Sequence, residues 1–145
     1  MKENTFHVDR LHVKIFPNRA DMGAAAAVEA AKILRAAIQK HGSARIIVAS
    51  APSQNELIAG LAAASGIDWT RVTIFHMDEY VDLPATHPAS FRNYQQQHLL
   101  NRVTPAKFHG IRGESADPEA ECVRYSTLLA EAPIEVLPNL LPCPS

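Results

Sequence analysis

The stretch Val72-Thr73-Ile74-Phe75-His76-Met77-Asp78-Glu79-Tyr80 decides how this chain is read. Its first four residues are β-branched or aromatic, the composition of a buried strand. Two adjacent acids end the run, and Leu83-Pro84 and His87-Pro88 follow. Open α/β sheets bind ligands outside the carboxyl ends of their strands, and a buried strand ending in carboxylates and a proline-punctuated loop suits that arrangement. Spacing alone leaves a second reading open, in which Asp78 and Glu79 only solvate a strand end.

Working outward, Arg45-Ile46-Ile47-Val48-Ala49 is nearly continuous in apolar residues, the pattern of a central parallel strand. Ser50-Ala51-Pro52-Ser53-Gln54-Asn55 then forms a turn before a helical stretch, 56–64. A strand, a tight turn and a helix start bring free N–H groups and a positive dipole end together, which suits an anion. The alternative is a plain N-cap by Ser50 or Ser53. Upstream, an alanine-rich helix is expected over 22–41, N-capped by Asp21 and stopped by Gly42. Leu11-His12-Val13-Lys14-Ile15-Phe16 alternates like a half-buried edge strand, and 1–10 reads as polar and loose. These three strands and two helices predict a parallel βαβαβ layer, with Trp69 as core.

Downstream, a helix is expected over 89–103 with Ser90 in its first turn, then a loop or short strand over 108–113. Asp117 and Pro118 mark the next helix start, as N-cap and first residue, and that helix runs to about residue 131. Ile134-Glu135-Val136-Leu137 begins another strand. Residues 138–145 hold three prolines and no periodicity, and read as an irregular tail.

The totals exclude several classes. At 145 residues the chain has the length of one domain, with 47% hydrophobic residues. Net charge is −1 and no like-charge block exists, so neither nucleic acid nor an anionic membrane is an expected partner. No apolar run is long enough to span a bilayer, and the first ten residues do not form a secretory leader. Cys122 and Cys143 lack metal spacing and suit reduced thiols in cytoplasm. The seven histidines are scattered, so no metal is implied.

Phe75-His76-Met77-Asp78-Glu79-Tyr80, then Leu83-Pro84, then His87-Pro88-Ala89-Ser90-Phe91-Arg92, resembles the glucosamine-6-phosphate deaminase/isomerase family, which shares its fold with 6-phosphogluconolactonases. The resemblance runs from about residue 11 to about residue 135. It implies a three-layer, Rossmann-like α/β domain with a parallel sheet and flanking helices, and a small sugar phosphate as ligand, without a cofactor. Asp78 falls at the position of the catalytic base. Ser50, Ser53 and Gln54 fall on the phosphate turn, and Glu79, Tyr80 and Ser90 on the substrate side. The lactonase branch tends to carry Asp-Glu-Arg, so Tyr80 favours the deaminase-like branch.

Two departures bear on function. The family usually has glycine where this turn has Ala51-Pro52, and proline donates no N–H. The family's Gly-rich turn and Asp/Asn-Gly-His segment, with its ring-opening histidine, has no counterpart after Ile134. Residues 1–137 are therefore expected to be the N-terminal part of such a domain, truncated, with 138–145 read past a truncation or frame change. Missing strands would bare the faces near Ile46 and Ile74 and invite pairing into a homo-oligomer. Three functions follow: a deaminase-like isomerase lacking a segment, an inactive sugar-phosphate-binding module, or a lactonase-like hydrolase.

Asp78 at a partly desolvated strand end suits proton transfer between neighbouring carbons. Glu79 should face the other way, in a supporting role, and Tyr80 should form pocket wall. His76 reads as a hydrogen-bonded core residue, His87 as loop-fixing, and Arg92 as a surface ion-pair partner.

Overall fold

The structure, a computed structural model, describes residues 4–137. The expected tail and Cys143 lie outside the described residues.

Three parallel strands carry the architecture: β3 (Ala44–Val48), β4 (Val72–His76) and β5 (Lys107–His109), in spatial order β3-β4-β5. Ala44 pairs with Val72 and Ile46 with Ile74, so alternate residues of both strands share one face. Against that face lie α1 (Arg19–His41) and α2 (Asn55–Ala63), with Leu34, Leu57, Ile58 and Leu61 buried at the contact. Gly23 and Gly60 permit the close crossing: a Cβ at Gly60 would lie 2.8 Å from the Ala27 Cβ. The opposite face carries Arg45 and Phe75 and packs under α4 (Pro118–Ala130), whose Tyr125 ring meets Phe75 edge-on at 5.8 Å. The result is the expected three-layer α/β arrangement.

The expected first strand is not part of this sheet. Leu11–Ile15 (β2) pairs antiparallel with Asn4–Val8 (β1), a segment expected to be loose. Asp9, in left-handed conformation at φ 52°, turns the hairpin. Short polar aspartate is among the few residues that tolerate that conformation. Alternation correctly marked a strand but not its partner, because the partner's own pattern was obscured by polar residues.

Asn18, not Asp21, caps α1. Asn18 is extended and its Oδ1 accepts the Asp21 N–H at 2.9 Å, while the Asp21 carboxylate accepts from Asn18 Nδ2 at 2.9 Å. The reciprocal pair satisfies an orphan amide one turn earlier than expected. Gly42 ends the helix at φ 81°, as read. The faces near Ile46 and Ile74 are not bared: both residues are fully buried. The helices cover one side, and Glu135–Val136 docks on the outer edge of β3, where Ile47 N–H donates to the Val136 carbonyl at 3.0 Å.

Arg45 has a task that its strand gave no sign of. Its guanidinium donates to the carbonyls of Leu128, Leu129 and Ala132 at the end of α4, and lies over the Phe75 ring at 4.8 Å. Unpaired carbonyls at a helix C-terminus attract a cation.

Candidate active site

β4 ends at His76, and the chain leaves the sheet through Met77, whose N–H donates to the Val48 carbonyl at 3.1 Å. His76 is buried. Its Nε2 accepts the Ile111 N–H at 2.8 Å, which puts the ring proton on Nδ1, and Nδ1 has no partner among the described residues. Burial holds its pKa down at about 4. Tyr125 closes the strand end from above, accepting the His76 N–H at 3.0 Å and donating to the His76 carbonyl at 2.8 Å.

Glu79 organises the loop beyond. Its side chain is fully buried. The carboxylate accepts from Ser90 Oγ (2.8 Å), the N–H groups of Phe91 (2.9 Å), Arg92 (3.0 Å) and Tyr80 (3.1 Å), and Arg92 Nε (3.1 Å). Burial alone would raise its pKa; the hydrogen bonds from Phe91, Arg92 and Ser90 more than offset this and leave it lowered. The three Phe91–Arg92 and Ser90 donors sit at the start of α3 (Phe91–Gln95), which continues as a π-helical turn, Gln96–Leu100. Ser90 is the N-cap of that helix, one residue before the first turn.

Arg92 is not a surface residue. Its side chain is 11% exposed and pairs with Glu79 inside and, through both terminal nitrogens, with Glu114 outside. His87 fixes the loop as read: its Nδ1 accepts the Ala89 N–H at 3.0 Å and its carbonyl accepts the Ser90 N–H at 2.9 Å. Gly113 lets the 110–114 segment press against this loop, since a Cβ there would lie 2.1 Å from the Tyr80 carbonyl oxygen.

Asp78 stands apart from that network. It is exposed at the strand end and, with Glu79, lines a cavity of about 320 Å³ roofed by Tyr125, Cys122 and Glu121 of α4. Partial burial, then the Glu79 charge beside it, raises its pKa. The arrangement separates two adjacent acids: one is held ionised by donors, and the other is nudged toward holding a proton.

At the end of β3, the expected turn is a 3-10 segment, Pro52–Gln54, leading into α2. Ser50 Oγ accepts from Gln95 Nε2 at 2.8 Å and lies 3.4 Å from the Phe91 carbonyl, so the two strand ends meet at Phe91. Gln95 also donates to the Ala49 carbonyl at 3.1 Å. Tyr94 Oη bonds Asn55 and lies 3.1 Å from the Ala51 carbonyl. Gln54 and Gln95 are buried, and the Oε1 of each has no donor among the described residues. Ser53 is half-buried, and Tyr80 is half-exposed with its ring 4.9 Å from that of Phe91.

Of the residues expected from sequence, Glu79, Ser90 and Ser50 thus belong to one hydrogen-bonded neighbourhood around Phe91. Asp78 and Glu79 line the cavity; Ser50, Ser53, Gln54, Tyr80 and Ser90 do not. Gln95, Tyr125 and Arg112 were not anticipated as site residues, although Tyr125 is a candidate for burial by its place on the 118–131 helix. Gln95 carried a signal: it lies midway between Phe91 and Leu99, a polar residue on an apolar helical stripe, and such residues need internal partners. No group of three or more metal-ligating side chains occurs among the described residues, and no described helix is long and apolar enough to cross a membrane.

Comparison with known proteins agrees with this fold. Residues 17–140 match the family model described as glucosamine-6-phosphate isomerases/6-phosphogluconolactonase. Glucosamine-6-phosphate deaminase 1 of Giardia intestinalis is 37% identical over 82 residues, 54% of this chain and 31% of that protein. A glucosamine-6-phosphate deaminase of Listeria welshimeri is 39% identical over 72 residues, 50% of this chain and 31% of that protein. A solved 6-phosphogluconolactonase from Shewanella baltica superimposes with a TM-score of 0.74 at 28% identity, covering 84% of this chain and 53% of that one. A monomeric glucosamine-6-phosphate deaminase superimposes with a TM-score of 0.69 at 20% identity, covering 77% and 47%, a likeness of fold alone. The chain thus spans about a third of the curated relatives it matches and about half of the solved structures.

Proposed function

The chain belongs to the glucosamine-6-phosphate isomerase/6-phosphogluconolactonase family, and from that premise we propose that it is the N-terminal part of a glucosamine-6-phosphate deaminase-like sugar-phosphate isomerase. The observation that carries the reading is Asp78: an accessible carboxylate with a raised pKa, at the mouth of a cavity, beside a carboxylate that is wholly occupied. In this role Asp78 takes a proton from the amino-bearing sugar carbon and returns it to the neighbouring carbon, turning the open-chain amino-aldose phosphate into a ketose imine. A water then adds to the imine carbon, the C–N bond breaks, and ammonia leaves as the ketose phosphate forms. Glu79 does not touch substrate directly; it holds Ser90 and the start of α3, and so fixes the loop that follows Asp78. Tyr80 packs against Phe91 beside the cavity rather than lining it. By the family resemblance the phosphate end lies at Ser50, Ser53 and Gln54, outside the Asp78 cavity, with fewer backbone donors than a glycine turn supplies because Pro52 has no N–H. The acid that opens the sugar ring has no candidate among these residues and belongs to the part of the relatives that this chain does not span.

The test is ammonia release from glucosamine 6-phosphate by the chain, with Asp78→Asn beside it. Turnover is expected to fall at least about a hundredfold in the variant. It should also fall as pH drops through a value above the ordinary aspartate range, because the base must be unprotonated and its pKa is raised. Equal turnover in both proteins removes Asp78 from the role of base.

A second reading has its own support. The Shewanella baltica 6-phosphogluconolactonase covers 84% of the chain, which favours lactone hydrolysis on the same scaffold. Acid release from 6-phosphogluconolactone without ammonia release from the amino sugar would select it. Binding of the sugar phosphate with neither product would select an inactive binding module.

A further inference from the structure

A second cavity, of about 600 Å³, lies on the far side of the 110–114 segment from the Asp78 cavity. Three arginines reach it from three different elements: Arg92 from α3, Arg112 from the segment itself and Arg124 from α4. Asn93, Gln96 and Thr86 add neutral hydrogen-bonding groups. Phe108 and His109 form a flat wall.

The charges here are not equally spoken for. Arg124 is paired to the buried Glu121, with its Nε 2.7 Å from Oε2 and Nη2 2.6 Å from Oε1. The Arg92 Nε is held by Glu79 and its two terminal nitrogens by Glu114, whose side chain is half-exposed, with Nη2 also donating to the Leu83 carbonyl at 3.0 Å. Arg112 has no carboxylate within 4.0 Å of its guanidinium among the described residues; its backbone is engaged, the N–H donating to Glu121 at 2.8 Å and the carbonyl accepting from Ser115 at 3.0 Å. A carboxylate laid two-pronged across a nearly buried guanidinium occupies the place that a planar or tetrahedral oxyanion would take. Glu114 is free to leave it, since half of its surface already faces water.

We propose that this cavity is a site for a phosphate dianion, free or as the phosphate of a phosphorylated sugar, held by Arg112 and by the Arg92 fork once Glu114 swings out. The two sources share the same recognition chemistry. They differ in what meets the Phe108 and His109 wall: an ester can lay its sugar against it, and inorganic phosphate leaves it to water. The field at the wall has the right sign. His109 has its pKa lowered first by burial and then by the positive charges of Lys107, Arg124 and Arg45, against Glu131 alone in opposition. The site does not depend on Asp78 being a base. It does share a wall with that residue's cavity, because Arg112 lines both. Occupancy would therefore pull on the segment that Gly113 presses against Tyr80 and Glu79.

The experiment is an amide-resolved NMR titration of the 145-residue chain with inorganic phosphate and with glucose 6-phosphate, at constant ionic strength, on four proteins: wild type, Arg112→Ala, Glu114→Gln and Asp78→Asn. Saturable shifts centred on Asn93, Gln96, Gly110 and Arg112 are expected. Affinity should fall at least tenfold in Arg112→Ala, rise in Glu114→Gln, and stay within twofold of wild type in Asp78→Asn. Tighter binding of the sugar ester than of phosphate assigns the site to a phosphorylated sugar, and equal binding assigns it to free phosphate. The proposal is overturned if shifts at these amides fail to saturate, if Arg112→Ala and Glu114→Gln both bind like wild type, or if the saturable shifts fall on Ser50–Gln54 instead.

Discussion

The ends of β3 and β4 lie side by side, joined through Phe91, and they treat their polar groups differently. Beyond β4, the buried Glu79 carboxylate accepts five hydrogen bonds. Beyond β3, Gln54 keeps a buried carbonyl oxygen with no donor among the described residues, as does Gln95, which reaches back from α3 to Ala49 and Ser50. A buried charge is tolerable only when paired and bonded, while an unsatisfied neutral amide oxygen costs far less. The β4 end is accordingly built as a rigid frame. The β3 end leaves two acceptors unmatched beneath its surface.

The comparison breaks most visibly at Glu79. Glu79→Ala leaves the Arg92 guanidinium without its inner partner and four further donors unsatisfied, and is expected to cost about 3–5 kcal/mol in urea unfolding. A loss under about 1 kcal/mol would mean that the frame is held elsewhere. Next comes acid sensitivity at His76. Its folded pKa of about 4 lies below the unfolded value near 6.5, so protons bind the unfolded chain first. Stability from its neutral burial is complete above about pH 6.5 and is lost as pH falls toward 4, by about 3 kcal/mol. His76→Gln should flatten that slope in denaturant melts between pH 4 and 7; an unchanged slope would assign the loss to other groups.

Gly113→Ala probes the contact between the 110–114 segment and the frame. Its new Cβ meets the Tyr80 carbonyl and the Glu79 side chain, and overpacking of that kind costs about 1–3 kcal/mol. A calorimetric melting temperature equal to wild type would show that the segment is free to move away. The smallest effect is expected on the other side of the comparison. Gln54→Leu removes an orphan buried acceptor, so the free chain should change by less than about 1 kcal/mol, while its affinity for glucosamine 6-phosphate falls. A loss of several kcal/mol, or unchanged affinity, would mean that Gln54 is an ordinary core residue with no part in holding the ligand.

Much of the site was legible from one dimension. Asp78 and Glu79 at a strand end could be read from the β-branched run and the acids that stop it, and the loop punctuation of His87 and Pro88 from proline chemistry. What separates the two acids was not legible. Alternation could say that they face different ways, but not that Glu79 would meet Ser90, Phe91 and Arg92, eleven to thirteen residues on. Arg92 failed as a surface assignment for the same reason: its burial comes from Glu79 and from the 110–114 segment, neither of which is a helical neighbour.

The sequence by itself determined the central parallel strands, the alanine-rich helix with its glycine stop and the Asp117 cap. These depend on side-chain period and on local backbone chemistry, which act within a few residues. Only the tertiary structure decided the rest. It took Leu11–Ile15 out of the sheet and into a hairpin, sent Arg45 to the far end of α4, and brought three arginines from separate elements to one cavity. Each of these joins groups far apart in the chain, and neither residue period nor capping chemistry carries information over that distance.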